Sequence, residues 1–591
     1  MMDQVSRVRR RPKFRRPMLC PECANPEAAT SGPSILDDIP EARALYCPHR
    51  APALQRKRKL VESQDSTPNW KKYRDSRPVL EPVCSASSDD EDDEKNAVVN
   101  GTIVEENDVE DIYGKFPKFS PSKFYHTVVH QIDELMKDFR LTDETYVHIM
   151  ELLNQEMNKG LERESHPAST VKMFPTYVRA IPDGTESGEF LALDLGGTNF
   201  RVLHVKLQGQ GAAEVKSHTF LIPKAIMLGS GANLFDHIAT CIEKFVVSEK
   251  LNDRAWPLGF TFSFPCVQDG LASARLVRWT KGFRCSGVAG QDVVKLLHEA
   301  LERKPGLQVE CLCLVNDPVG ALMATAHSDK NCLVGLILGT GTNACYMEAL
   351  HKVGTWDGDQ EEPLQVILNT EWGAFGDNGV LEFIRNEFDR QMDEVSLNPG
   401  HQLFEKMISG MYMGEIVRLV LCQLVDSGLL FGGEGSEELY TYGSFLTKYI
   451  SEIESDDPED NFENTKLVLQ ELDINHYTVD DCRHVQHVCW QVSQRAAFLA
   501  GTGLATIIRR LNKPEVTIGV DGSLYRFHPH FSDLMKKKIS QLIPPGIQFK
   551  LVTSHDGSGK GAALVAAVAQ RMRLCSQEEG VDDMENNNPG K

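Results

Sequence analysis

Three glycine-rich stretches carry residue types suited to holding an anion. The first reads Leu191-Ala-Leu-Asp194-Leu-Gly196-Gly197-Thr198-Asn199-Phe-Arg201 and continues in apolar, β-prone residues to Leu207. Adjacent glycines let backbone N–H groups come close to a phosphate, and Thr198 adds a hydroxyl donor. Asp194, at a strand end, is placed to hold a metal ion through water. Taken alone, the stretch is equally well a plain hairpin with a Gly-Gly turn. The second, Val334 to Met347, centres on Gly339-Thr340-Gly341-Thr342-Asn343 and again reads strand, turn, strand. It satisfies G-x-G-x-x-A, but a dinucleotide fingerprint needs a helix after the glycines, and Cys345-Tyr-Met does not begin one. Gly557-Ser-Gly-Lys560-Gly561 looks like a P-loop but has Gly561 where Ser or Thr is required. Two phosphate hairpins in two halves of one chain imply a duplicated fold clamping one nucleotide. A third turn, Gly519-Val-Asp521-Gly522-Ser523, suits a nucleoside-facing position.

A polar set lies between these turns. Ser263 follows the apolar strand Leu258–Phe262, and Thr280 and Lys281 sit in Trp279–Phe283. Asn316 and Asp317 end the strand Cys311–Val315, while Glu371 and Glu405 fall in Asn369–Gly376 and Asn398–Glu405. Short amide, carboxylate and hydroxyl groups beside rigid strands are what a polyhydroxylated ligand demands. The competing explanation for each one singly is a solvated or turn residue. Pro318 is expected to push Asp317 out of the α region and to open a helix over Val319–Ala326, so Asp317 reads as a cap, a functional group, or both.

The elements that must position these groups follow from periodicity. Val128, Ile132, Leu135, Met136 and Phe139 share a helical face, and Thr142 caps a second helix. From there to about residue 575, strand-like and helical segments alternate, which predicts an α/β architecture. Before about residue 115 the charges come in blocks, from Arg7–Arg16 to Asp89–Glu94, without sustained apolar periodicity, and disorder is expected. Its basic clusters have the spacing of a bipartite nuclear-import signal, against the simpler reading of a solvated tail. Cys20, Cys23, Cys47 and His49 raise the question of a structural zinc, against ordinary tail residues. The stretch Gln577–Lys591 is expected to fray.

Bulk composition excludes several classes. Lys+Arg 63 against Asp+Glu 84 gives a net charge of −21, which argues against a nucleic-acid binder. No apolar run approaches the ~20 residues of a membrane helix, and the basic start is not a secretory signal. Fifteen scattered cysteines read as reduced thiols, so the chain is expected in the cytosol.

From about 120 to 575 the chain resembles eukaryotic hexokinases of the single-catalytic-unit kind, glucokinases included. The resemblance rests on Ser169–Arg179, Leu193–Val202, Leu258–Cys266, Trp279–Gly287, Val315–Asp317, Gly339–Glu348, Asn369–Asp377, Asn398–Glu405, Met413–Leu421, Gly519–Tyr525 and Gly557–Ala567. It implies a duplicated actin-like ATPase (ribonuclease H-like) fold with two domains flanking a sugar/ATP cleft. Residues 120–182 and 317–555 would form the large domain and 183–316 the small one, with a helix over 556–576 returning to the small domain. It also implies transfer of the γ-phosphoryl of Mg-ATP to the C6 hydroxyl of glucose or a related hexose. Asp317 is then similar to the family's general base and Lys281 to its anchoring cation. Ser263, Thr280, Asn316, Asn343, Glu371 and Glu405 resemble the sugar-binding set. Gly196, Gly197, Thr198, Asn199 and Arg201 match the first phosphate element, and Gly339, Thr340 and Gly341 the second. Gly410, Thr447, Ser451, Gly522 and Ser523 fall where the family contacts the nucleotide. No residue is expected to hold a metal by protein ligands alone. Pro318 departs from the Thr usual there. The alternative is a catalytically weakened glucose sensor whose tail recruits regulatory partners; nuclear or mitochondrial-surface association would also run through that tail.

Overall fold

The computed structural model describes residues 123–586 except Thr198, Gln210, Asp253 and His555, with side chains over 128–572 except Asn199 as well. The expectations for residues 1–115, for Cys20, Cys23, Cys47 and His49, and for Thr198 and the Asn199 side chain lie outside the described residues.

In chain order the strands are β1 (Phe174–Pro175), β2 (Ser187–Leu195), β3 (Asn199–Gln208), β4 (Ala213–Leu221), β5 (Trp256–Phe262), β6 (Cys266–Gly270) and β7 (Ser273–Leu276). They continue with β8 (Val309–Val315), β9 (Cys332–Leu338), β10 (Thr342–Ala349), β11 (Gln365–Asn369), β12 (Glu515–Asp521) and β13 (Gln548–Thr553). One sheet has the order β4-β3-β2-β5-β8 and the other β1-β11-β10-β9-β12-β13, while β6 and β7 pair as a hairpin. In each main sheet three antiparallel strands run on through two parallel ones in the same relative order, and the two-residue β1 adds a further antiparallel edge to the second sheet. The duplication inferred from two glycine turns is therefore visible in the topology: each turn joins the same pair of the shared order, β2 to β3 in one sheet and β9 to β10 in the other.

Period-two alternation gives each sheet an outer and an inner face. Leu191, Leu193, Leu195, Leu258, Phe260 and Phe262 point outward into a core with the helices Gly231–Ser248 and Val293–Glu302. Val334, Leu336, Leu338, Ala344, Tyr346, Val516, Ile518 and Val520 point outward into the larger core. The inner faces share a third core with two crossing helices, Asp317–Ala326 and Gly557–Asn586. The first packs on β9 and β12, the second on β2, β5 and β8. Glycine makes the crossing close: a Cβ at Gly561 would stand 2.1 Å from Gly320 O, and one at Gly320 would stand 2.8 Å from Ser558 Cα.

Thr142 caps the helix Asp143–Leu161 by accepting from Thr145 N at 3.2 Å, and Ile132, Met136 and Phe139 are buried in the large core. Three expectations need correction. The helix at Asp317 begins there, not at Val319; Asn316 is the residue before it, so Pro318 occupies the second position, where its missing N–H is harmless. Asp317 is not the cap. Strands and helices do not alternate throughout, because none of the described strands lies between Asn369 and Glu515. That stretch is helical and wraps the 33-residue helix Val479–Leu511, whose apolar positions recur at helical spacing. The last helix does not stop at 576 but runs to Asn586.

Candidate active site

The same alternation that buries one face of each strand delivers polar ends to the inner one. Asp194 continues the face of Phe190 and Ala192; Ser263 continues that of Gly259 and Thr261. Asn343 precedes the inward-facing Cys345 and Met347, Asn369 follows the inward Ile367, and Asp521 follows Thr517 and Gly519. Two of these ends, Ser263 and Asn343, line a cavity of about 180 Å³ together with Thr280, Lys281, Asn316, Asp317, Glu371 and Glu405. All eight residues of the expected sugar set thus meet in one place. Gly196, Thr340 and Gly341 line it too, so both glycine turns border the polar set.

Lys281 Nζ lies 3.8 Å from Asp317 Oδ2 and donates to Ser263 O at 3.0 Å. Its loop is held by aromatic packing: Trp279 stacks on Phe283 at 5.4 Å and meets Phe264 edge-on at 4.9 Å. Asn316 Nδ2 donates to Phe262 O and Phe264 O, leaving Oδ1 to accept from Asn343 Nδ2 at 3.3 Å. Asn343 Nδ2 also reaches Asn369 Oδ1 at 2.8 Å and Glu371 Oε1 at 3.1 Å, and Asn369 Nδ2 donates to Glu371 Oε1 at 2.8 Å. Glu405 Oε2 accepts from Thr342 N at 2.9 Å. Lys281, Glu371 and Gln402, all lining the cavity, hold left-handed backbone at φ 54°, 51° and 60°. Such conformations in non-glycine residues cost of order 1–3 kcal/mol each and persist where the surroundings over-determine them.

Burial sets the electrostatics. It pushes the Asp317 carboxyl above the usual range, Lys281 pulls it back, and Asp194 and Asp521 push it further up. Burial likewise raises Glu371, and it lifts Glu405 to about 7 against the bond from Thr342 N. A carboxylate raised toward neutrality is a better proton acceptor than a free one.

Arg201 is not a free cation. Its guanidinium pairs with Asp194 Oδ2 at 2.6 Å and Asp556 Oδ1 at 2.7 Å, and Ser558 Oγ also donates to Asp194 Oδ2 at 2.9 Å. Among the described residues no group of three or more His, Cys, Asp or Glu side chains is placed to hold a metal. Magnesium usually keeps several waters and takes one or two carboxylates plus substrate phosphates. Asp194 and Asp521, which feel each other and Asp317 electrostatically, fit that hard, sparse donor set.

The expected nucleotide residues gather around the second turn. Gly410 N donates to Gly339 O at 2.9 Å, and a Cβ at Gly522 would stand 2.0 Å from Leu338 O, where φ is 127°. Thr447 Oγ1 accepts from Gly414 N at 2.9 Å, Ser451 lies one turn along the same helix, and Ser523 opens the helix Ser523–Phe527. Two groups escaped the sequence reading, Asn369 behind the cavity wall and Gln402 on it. Asn369 is the hub between Asn343 and Glu371, and its signal was its position two residues before Glu371 at a strand end. Gln402 Oε1 is buried with no hydrogen-bond partner among the described residues, and the spacing to Glu405 of three residues was its signal.

Residues 131–327 and 333–568 match two family models, both described as hexokinase. The human protein Hexokinase-2 is 48% identical over 455 residues, covering 76% of this chain and 49% of the relative. Human Hexokinase-1 is 47% identical over 452 residues, covering 75% and 48%. The chain spans about half the length of these curated relatives. A solved hexokinase from Schistosoma mansoni, complexed with glucose, superposes with a TM-score of 0.72 at 45% identity and covers 75% of this chain and 99% of that one. A second hexokinase structure gives 0.64 at 32% identity, covering 75% and 100%. The two like-ordered sheets are those of the actin-like ATPase fold. Each sheet is matched by its own model from a single family, and a solved member aligns across nearly its whole length, so this chain belongs to the hexokinase family.

Proposed function

We propose that this chain transfers the γ-phosphoryl group of Mg-ATP to the C6 hydroxyl of glucose or a related hexose. The observation that carries the reading is a partly buried carboxylate, Asp317, facing Lys281 at 3.8 Å in the same cavity as the amide–carboxylate network. Asp317 accepts the C6-OH proton as the oxygen attacks phosphorus. Lys281 steadies the sugar and offsets the charge on the transferring group. Asn316, Asn343, Glu371 and Glu405, with Ser263 and Thr280, take the remaining hydroxyls, and Gln402 Oε1 joins them as an acceptor. Gly196, Gly197, Thr198 and Asn199 on one turn, and Gly339, Thr340 and Gly341 on the other, hold the phosphates, with Gly410, Thr447, Ser451, Gly522 and Ser523 toward the nucleoside. Asp194 and Asp521 would hold magnesium through water, and Arg201 fixes Asp194. The ion, when bound, neutralises charge on the phosphates.

The residues 183–316 are taken as a small domain that closes on 120–182 and 317–555 when a hexose bridges the two, with the helix beyond 556 returning to the small domain. That closure excludes water as a competing acceptor. The proposal extends to residence in the cytosol, with nuclear or mitochondrial-surface association running through the basic N-terminal clusters. Among the described residues no helix is long and apolar enough to cross a membrane. The test is a coupled assay of purified full-length chain with ATP, with and without glucose. Glucose-dependent formation of hexose 6-phosphate and ADP is expected; ATP consumption that is equal with and without glucose would overturn the reading.

A further inference from the structure

The helix Leu403–Ile408 brings Glu405 to the cavity, and its start is built unusually. The residue before it, Gln402, does not cap it: its side chain makes no cap hydrogen bond, and its backbone is left-handed at φ 60° and ψ 42°. The first N–H groups of a helix need acceptors, and a cap side chain normally supplies one. Here the acceptor comes from elsewhere. Asp377 Oδ2 accepts from Gln402 N at 3.0 Å, and Asp377 Oδ1 accepts from Leu403 N at 3.0 Å. Asp377 itself follows the short helical turn Trp372–Ala374 that begins at Glu371, and its own N–H donates to Ala374 O at 3.1 Å. One carboxylate therefore clasps the segment carrying Glu371 to the segment carrying Gln402 and Glu405. The two segments touch at Gly373, whose missing side chain leaves room for those of the other segment: a Cβ there would stand 2.6 Å from Gln402 Oε1 and 3.2 Å from Glu405 Cβ.

We infer that Asp377 is a positioning residue for hexose recognition: it caps the helix in place of Gln402, which frees the Gln402 amide to face the cavity, and it fixes the spacing between the two glutamate-bearing segments. The inference deepens the hexose-kinase reading and rests on it for the identity of the ligand. Asp377 does not line the cavity, so its effect passes through Gln402 and Glu405. Both bonds are charge-assisted, and losing them lets the helix start relax and the Gln402 and Glu405 acceptors drift. Ground-state and transition-state sugar contacts weaken together, which raises KM and leaves kcat.

The test compares full-length wild type with Asp377→Ala and Asp377→Asn, measuring glucose Kd by calorimetry without nucleotide and KM and kcat for glucose and for ATP. Asp377→Ala is expected to raise glucose Kd and KM by roughly tenfold or more, with kcat and ATP KM within about threefold. Asp377→Asn keeps one acceptor and turns an amide toward the other N–H, so it should fall between. A melting scan accompanies each variant, and Asp377→Asn serves if the alanine variant does not fold. Unchanged glucose Kd in a folded variant overturns the inference. So does a parallel loss of kcat, ATP affinity and melting temperature, which is the pattern of a general structural prop. Wild type that binds glucose without phosphorylating it would overturn the kinase reading alone, with the Kd comparison still decisive. Wild type that binds no hexose would overturn both.

Discussion

Gly341→Ala is a single methyl placed against one carboxylate. A Cβ at Gly341 would stand 2.4 Å from Glu405 Oε2 and 3.2 Å from Cδ, about 1 Å inside ordinary contact for the nearer atom. The backbone at Gly341 is not left-handed, so the change brings no conformational strain of its own. The neighbour that must give way is the end of a side chain. Relief comes by swinging the Glu405 carboxylate aside, which breaks its 2.9 Å bond from Thr342 N and takes the group away from where a hexose hydroxyl would meet it. A hydrogen bond to a charged group contributes about 1.5–3 kcal/mol. Losing one such contact to the sugar corresponds to roughly a ten- to hundredfold rise in glucose Kd. Calorimetric titration of glucose into the purified variant without nucleotide reads it directly, with a thermal melt to show that the fold holds. Because the methyl points at Glu405 and leaves the Gly341 N–H in place for a phosphate, ATP KM should move less than glucose Kd does. An unchanged glucose Kd in a folded Gly341→Ala protein would refute the reasoning, since it would mean that Glu405 does not act on the sugar from its position against Gly341.

Asp317→Ala removes the proposed base and should lower kcat by about 10²–10⁴-fold in a steady-state assay with the melting temperature nearly unchanged; turnover near wild type would remove Asp317 from that role. Thr340→Ala, one residue from Gly341, should weaken ATP use while glucose Kd measured without nucleotide stays constant; a loss confined to glucose would exchange the two ligands. The Glu405 carboxyl titrates at about 7 when folded against 4.5 when free, so the folded chain binds more protons than the unfolded one between those values. That contribution to stability is complete below about 4.5 and lost as pH rises through about 7, so Glu405→Gln should flatten the melting-temperature profile across this window. Gly561→Ala puts a Cβ 2.1 Å from Gly320 O, a backbone atom that cannot swing away, and a loss of about 1–3 kcal/mol or more is expected in denaturant unfolding.

The legible part of the site was the part encoded locally. An apolar strand that runs straight into a polar residue marks that residue, which is why Asp194, Ser263, Asn316 and Asp317 stood out. The β-hairpin turns were equally plain, because glycine pairs between apolar strands leave few alternatives. What stayed hidden depends on pairing between distant segments. Asn369 becomes the hub only because β11 runs antiparallel to β10 with Asn369 opposite Cys345, two residues from Asn343. Gln402 and its borrowed cap at Asp377 are 25 residues apart in the chain. The helical stretch between β11 and β12 was misjudged because short apolar runs fit strand and helix alike until the buried partner is known. Pro318 gives two opposed signals, a restriction on Asp317 and a tolerance within the first helical turn, and the second prevails here, so the helix starts at Asp317 rather than Val319.

The crossing of the two inner helices touches backbone to backbone at Gly320, Ser558 and Gly561, with hardly a side chain between them. Interdigitated side chains act as gear teeth: turning one helix over another requires them to disengage and find new rotamers. A backbone contact has no teeth. It works as a plain bearing, on which one helix can roll over the other through small angles without disengaging side chains at the crossing. The bearing lies beside the cavity, since Gly320 is one turn from Asp317 and Ser558 O accepts from Thr261 Oγ1 on the strand that leads to Ser263, so a small roll there would shift Asp317 against Ser263 directly. A bulkier residue at Gly320 or Gly561 would do more than crowd the joint; it would cut a detent into it, favouring one opening angle over its neighbours.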